Sequence, residues 1–232
     1  MTTASDLSQR YFNVKTRVAQ LCQKYGRAPE SVTLLAVSKT HSSTAIREIY
    51  HCGQRQFAEN YAQELIAKAE ELQDLDIRWH FIGHLQSNKI KKIAPLIDSL
   101  HTLASFDHAK TLARVASDAG KKQMPVFIEV NSGLEPGKSG ILLHDAAKLA
   151  QEIQTQLPIL QVEGLMMIPP AEFTDETWNG EAPKLFRDLA AVAKNIGRGQ
   201  LSLGMSGDLE MAIAAGATHV RIGTGIFGER QT

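Results

Sequence analysis

Val32-Thr33-Leu34-Leu35-Ala36-Val37-Ser38-Lys39 is apolar on both faces until its last two residues. Such a run suits a parallel strand covered on both sides. Upstream, residues 6–25 place Leu7, Tyr11, Val14, Val18 and Leu21 at helical spacing. They end in Tyr25-Gly26-Arg27-Ala28-Pro29, a glycine cap followed by a proline stop. Downstream, a helix is expected over Ser43–His51 and a short strand over Gln56–Asn60. The alternation continues with helix 61–73, strand Arg78–Gly83, helix 88–97 and strand 99–104. Helix 107–119, strand Pro125–Asn131, helix 143–156 and strand Leu160–Ile168 follow, then a loop over 169–180. Helix 181–196, strand Gln200–Ser206, helix 208–215, strand His219–Gly223 and a short helix near Thr224 complete the pattern.

Eight strand–helix alternations with no linker favour one closed (β/α)8 barrel, residues 1–232 as a single domain, with an extra N-terminal helix. Strand order is not legible in a sequence, so an open doubly wound sheet stays as the alternative. Hydrophobic residues make up 43% and charged residues 22% of the chain, which suits a soluble protein with a sizeable core. Twenty-five basic and 25 acidic residues cancel, so bulk charge draws neither nucleic acid nor a membrane surface. Cys22 and Cys52 form no metal or redox spacing, and a reducing cytoplasm is the expected compartment. Residues 1–10 lack the apolar core of a secretory signal, and no run is long enough to span a membrane.

Barrel sites are built from the loops after each strand, often with phosphate held after the last two. Here those loops carry Lys39, Glu59-Asn60, Gly83-His84-Leu85-Gln86, Asn131-Ser132-Gly133, Gly204-Met205-Ser206-Gly207-Asp208 and Arg221-Ile222-Gly223-Thr224-Gly225. The last two open helices, and their N–H groups with Ser206 and Thr224 suit a dianionic phosphate without a metal. Strand alternation puts Lys39 on the face of Val37, Leu35 and Thr33. If that face lines the barrel, desolvation lowers the lysine pKa and frees the amine to attack an aldehyde. Two users of a Schiff base remain open: pyridoxal 5′-phosphate (PLP) and a sugar-phosphate aldol substrate. His80 and His84 read as packed or hydrogen-bonding residues, and no cluster has metal spacing. Glu59 and Asp208 are candidate acid–base residues, with helix capping the commoner role for Asp208. Asn88-Lys89-Ile90-Lys91-Lys92 reads as a solvated helix face.

The chain resembles the YggS/PROSC family of PLP homeostasis proteins along nearly its whole length. The resemblance rests on Leu35-Ala36-Val37-Ser38-Lys39-Thr40, Phe57-Ala58-Glu59-Asn60-Tyr61, His80 to Lys89, Lys138-Ser139-Gly140, Gly164-Leu165-Met166-Met167-Ile168, Leu203 to Asp208, and Arg221 to Gly228. Ala58 stands where the family usually carries glycine. The resemblance implies the barrel of the alanine racemase N-terminal domain, with PLP linked to Lys39. It also implies that Asn60 lies by the ring, that Ser206, Gly223, Thr224 and Gly225 cradle the phosphate, and that Arg221 points at the pyridine nitrogen. A cation there weakens the ring as an electron sink. The implied function is buffering or delivery of PLP, with apo PLP-dependent enzymes as implied recipients and an influence on amino-acid and keto-acid balance, rather than catalysis. A PLP-dependent racemase is the rival, and it needs acid–base groups on both faces of the cofactor. Alanine racemase takes one of these from a second domain that the chain, ending at Thr232, is expected to lack, and a monomer is expected with it. Tyr61 is the one tyrosine beside a strand end, and Lys138 is a candidate for assisting PLP release.

Overall fold

The computed structural model describes residues 5–131 and 139–229. It begins with α1 (Asp6–Lys24), whose Ser5 side chain accepts from the Ser8 N–H, a serine N-cap. The alternation then runs β1 (Thr33–Val37), α2 (Ser43–His51), β2 (Gln56–Glu59), α3 (Ala62–Glu71), β3 (Arg78–Phe81), α4 (Ser87–Ile93), β4 (Ser99–Leu103) and α5 (Phe106–Asp118). It continues through β5 (Met124–Asn131), a two-residue β6 (Ile141–Leu142), α6 (Ala146–Gln156), β7 (Leu160–Met166), α7 (Lys184–Ala193), β8 (Gln200–Ser202), α8 (Leu209–Ala214), β9 (His219–Ile222) and α9 (Thr224–Phe227).

The strands pair in the order β4-β3-β2-β1-β9-β8-β7-β5, all parallel, and a β4–β5 pairing closes the ring. The open sheet is therefore excluded and the barrel expectation holds. β6 pairs only with the outer end of β5 and lies outside the ring. The main core fills the layer between strands and helices, with Phe57, Phe81, Leu100, Val126 and Phe186 fully or almost fully buried. Each such side chain contributes about 1.5–3 kcal/mol relative to exposure. The interior of the ring holds a separate small cluster of Leu35, Val37 and Ala58, with Ile82 packed against it.

Several strands end earlier than their apolar runs. β1 stops at Val37, β8 at Ser202 and β9 at Ile222, so Lys39, Ser206 and Gly223 stand in loops beyond the ladder. Gly204 shows why β8 ends. Its φ of 102° turns the chain, and a Cβ there would come 2.6 Å from the Ala212 Cβ of α8. The expected helix at 181–196 is shortened to Lys184–Ala193, with Pro183 at its N-cap. A 3-10 turn over Leu143–Asp145 replaces the expected start of the helix at 143.

Candidate functional site

Leu35 and Val37 lie in the inner cluster while Ala36 belongs to the outer core. Odd-numbered β1 side chains thus face the barrel interior, and the half-buried Lys39 follows in the turn two residues beyond Val37. β1 pairs with β9 with Leu35 opposite Arg221, so Gly223 and Thr224 leave the adjoining strand at the same mouth. A Cβ on Gly223 would stand 3.3 Å from the Val37 carbonyl oxygen. One on Gly225 would stand 3.0 Å from Ile222 Cγ2 and 3.5 Å from Ser206 Oγ. Thr224 Oγ1 donates to Ser206 Oγ at 3.2 Å. Two hydroxyls and two glycines therefore gather in one cradle, where a side chain at Gly223 would crowd the Val37 carbonyl and one at Gly225 would crowd Ile222 and Val14. The first N–H groups of α9 have no partner within that helix. Asn60 follows β2, the next strand round the ring, and is half-buried. Gly83 lets the β3 turn approach it, since a Cβ would lie 1.8 Å from the Asn60 carbonyl oxygen.

Arg221 is buried, with Nη1 donating to Ser202 Oγ at 2.9 Å and Nη2 to the Met167 carbonyl at 3.0 Å. From Ser202 a hydrogen-bonded chain crosses the barrel. His101 Nδ1 lies 2.9 Å from Ser202 Oγ, His101 Nε2 lies 2.9 Å from His80 Nδ1, and His80 Nε2 lies 2.7 Å from Gln56 Oε1. A guanidinium only donates, and the Gln56 oxygen only accepts. With both imidazoles held neutral by burial, Ser202 donates to His101, His101 Nε2–H to His80 and His80 Nε2–H to Gln56. Burial lowers the His80 pKa to about 3, with His219 and Arg78 adding to the effect. Burial also pushes His101 well below its ordinary value. Burial lowers Arg221 to about 10, against the pull of Asp208 and Glu129, so it stays charged. Glu129, raised to about 7 by burial, is the neighbouring carboxyl on β5.

Two expectations need correction. Glu59 is not poised for acid–base work at the mouth. It is fully buried on the outer side of β2, where Oε1 accepts from Lys68 Nζ at 2.8 Å and Ser38 Oγ at 2.7 Å. Its carboxyl is pushed above the usual range by burial, against the pull of Lys68. Asp208 occupies the N-cap position of α8, but its carboxylate makes no cap hydrogen bond. Oδ1 accepts from the Met205 N–H at 2.7 Å instead, and Oδ2 is buried without a partner. The helix is capped by Asp175, which accepts from Glu210 N–H and Met211 N–H, each at 3.0 Å. Asp175, Lys68 and Ser202 belong to no motif legible in the sequence. His84 is exposed and bonded to Ser139 at 3.0 Å. Lys138, Ser132 and Gly133 lie outside the described residues. Among the described residues no group of three or more His, Cys, Asp or Glu side chains is placed to hold a metal ion.

A cavity of about 280 Å³ lies at the ends of β2 and β3, lined by Asn60, Tyr61, Phe81, His84 and Lys89 among others. A larger one, about 440 Å³, opens between α1 and the region of β1 and β2, against Tyr11, Val18, Val32 and Gln54. It carries none of the expected cofactor-binding residues, and the smaller cavity carries Asn60 alone among them.

A closed parallel barrel with a lysine after its first strand and hydroxyl and glycine loops after its last two defines the class: the model of the alanine racemase N-terminal domain matches residues 13–231. Alanine racemase from Corynebacterium glutamicum, 18% identical with a TM-score of 0.63, shares the fold across 94% of this chain and 60% of its own. Within that class, the chain belongs to the family of pyridoxal phosphate homeostasis proteins. It is 41% identical to the protein of that name from Pseudomonas aeruginosa, over 97% of this chain and 96% of the relative. The Escherichia coli protein is 40% identical, over 97% of both chains. PipY of Synechococcus elongatus, solved with PLP bound, is 37% identical with a TM-score of 0.75, over 91% of this chain and 100% of its own.

Proposed function

We propose that this barrel binds PLP at its carboxyl mouth through Lys39 and buffers or delivers the cofactor rather than catalysing with it. The observation that carries the reading is the meeting of half-buried Lys39, the Ser206–Thr224 hydroxyl pair and two side-chain-free glycines on adjoining strand ends. These residues fit the group: a cradle of hydroxyl and amide donors for a phosphate, and an amine on the inner face. PLP supplies an aldehyde that condenses with an amine with loss of one water. Lys39 provides that amine, Ser206, Gly223, Thr224 and Gly225 hold the phosphate, Asn60 lies beside the ring, and Arg221 faces the pyridine nitrogen.

Arg221 also favours management over catalysis. Its guanidinium stays charged, and two hydrogen bonds fix its orientation. A fixed cation keeps a facing nitrogen unprotonated and so weakens the ring as an electron sink. The racemase alternative needs a second base opposite Lys39. Tyr61 is exposed. The names and bound ligand of the relatives point the same way. The reading extends to a monomeric single domain over 1–232, working in the cytoplasm with apo PLP-dependent enzymes as recipients. Zero net charge supports the absence of a nucleic-acid or membrane partner, and among the described residues no helix is long and apolar enough to cross a membrane.

The test has two parts. Borohydride should fix PLP on the peptide containing Lys39, and Lys39→Ala should lose that label. L-alanine incubated with the loaded protein in deuterated water should gain almost no deuterium at Cα. Labelling mainly elsewhere sinks the Lys39 assignment. Exchange at rates typical of enzymes, about 1–1000 per second, establishes the racemase instead.

A further inference from the structure

The peptide on either side of Lys39 is held from outside the barrel by one buried charge cluster. Lys68, on the inner face of α3, is 6% exposed. Its ammonium donates at 2.8 Å to the Ser38 carbonyl, to Glu59 Oε1 and to Glu64 Oε2. That uses all three of its donors. Ser38 Oγ donates to the same Glu59 oxygen at 2.7 Å, and the Thr40 N–H donates to Glu64 Oε2 at 2.7 Å. Ser38 and Thr40 are the two neighbours of Lys39 in the chain. Both are tied, one by hydroxyl and carbonyl and the other by its amide, to a single ammonium with two carboxylates.

Stability does not account for this arrangement. A buried ion pair contributes no more than well-packed apolar residues of the same volume, and often less. The position of Lys68, three residues after buried Leu65 and six after Ala62, is one where an apolar side chain would serve the core. Two further costs fall at the same place. Thr40 adopts a φ of 66°, a left-handed conformation that costs a residue other than glycine about 1–3 kcal/mol. Glu59 Oε2 is buried with no hydrogen-bond partner. Strain and imperfectly satisfied charge concentrated around one residue are characteristic of functional positions.

We infer that Lys68, together with Glu59 and Glu64, is the positioning unit for Lys39: it fixes the backbone on both sides so that the amine leaves the strand end aimed at the mouth. This rests on the reading that Lys39 holds PLP. Lys68 itself does not compete for the aldehyde, because its three donors are taken on the outer face of the ring. The 66° turn at Thr40, held by Glu64, sends the chain away from β1 directly after Lys39 and leaves the lysine as the last inward-facing side chain.

The experiment measures how fast apo-protein mixed with PLP acquires borohydride-fixable label on Lys39. Affinity for pyridoxine 5′-phosphate, which has the phosphate but no aldehyde, is measured beside it. Two variants are compared with the unsubstituted chain. Glu64→Ala removes the tie to Thr40 at a partly exposed position. The double variant Glu59→Gln/Lys68→Met removes the tie to the Ser38 carbonyl without leaving an unpaired buried charge. Misplacing a reacting group by about 1 Å costs up to about 100-fold in rate, so capture by either variant should slow by about tenfold or more. Pyridoxine 5′-phosphate should bind as before, which a general loosening of the core would not allow. Capture at the unsubstituted rate by folded Glu64→Ala overturns the positioning role, whether or not the double variant folds. Equal loss of pyridoxine 5′-phosphate binding overturns it as well. If the unsubstituted chain places no label on Lys39, the cofactor reading itself fails and the positioning role with it.

Discussion

Thr224 and Ser206 lie 18 residues apart in the chain, yet their hydroxyls meet at 3.2 Å. Each was legible in the sequence as a small hydroxyl residue in a glycine-bearing turn after a strand. Lys39 was legible because it ends an apolar run on its inner face. Lys68 was not recognised, although the Ala62-Leu65-Lys68-Leu72 spacing places a charge where the core-facing stripe of α3 calls for an apolar residue. A lysine on a helix is ordinarily solvated; Glu64 is a local partner one turn earlier, but Glu59 and Ser38 reach it only through the packing of α3 on the ends of β2 and β1. The hydroxyl pair gives a direct test of the cradle. Ser206→Ala and Thr224→Val should each weaken PLP binding by about 1–3 kcal/mol, the usual loss for a hydrogen bond to a charged group. Pyridoxal without phosphate should not notice either change. Equal losses for pyridoxal and PLP in a titration would move the phosphate elsewhere.

At the scale of elements, the strand–helix alternation was readable because parallel strands covered on both sides are apolar throughout. Element ends were less so, since Gly204 and the loops after β1 and β9 break the ladder while the sequence still reads as strand. The capping of α8 was hidden for a different reason. A cap is sought just before the helix, and Asp208 stands there. The residue that caps it, Asp175, comes from the loop after β7, 35 residues upstream of Glu210. The same carboxylate also pairs with Arg17 of α1 at 3.1 Å, so one side chain joins three parts of the shell. Asp175→Ala should lower stability by about 0.5–2 kcal/mol, the range for losing a helix cap. Asp208→Ala should leave the helix cap intact. Urea unfolding of the two variants separates these roles.

At the scale of the molecule, the sequence allowed a barrel but could not close it. Closure depends on β4 finding β5 and β1 finding β9, and strand order leaves no local trace. Nor did the sequence show that the ring would be filled partly by histidines, since His80, His101 and His219 come from three separate strands. Their burial couples folding to acidity. Burial, helped by Arg221, lowers the His219 pKa to about 4, and burial lowers His80 to about 3, both from an ordinary 6.5. The unfolded chain therefore binds protons that the folded chain refuses. The stability from these rings is complete above about pH 6.5 and is lost as pH falls towards 4 and 3. Glu129 acts in the opposite sense. Its pKa of about 7 makes the folded state the better proton binder between about 7 and the ordinary 4.5. His219→Gln should remove one histidine contribution, so the gap in unfolding free energy between wild type and variant should narrow from pH 7 to pH 4. A gap that widens on acidification would show that His219 is charged in the folded protein.

The pairing of Thr33 with His219 has a kinetic consequence. It joins the first stave to the last, so almost the whole chain must be in place before Lys39 meets the loop of Thr224. Such non-local pairing is slow to form, and no fragment lacking either stave brings Lys39 beside the cradle. A growing or partly opened chain is therefore blind to the proposed ligand, and only the shut ring can hold it. A ligand confined to that state adds about 2.7 kcal/mol to its stability at one hundred times its dissociation constant. The lifetime of the shut ring then rises with the supply of free cofactor, and turnover of the protein by proteolysis becomes a readout of that supply.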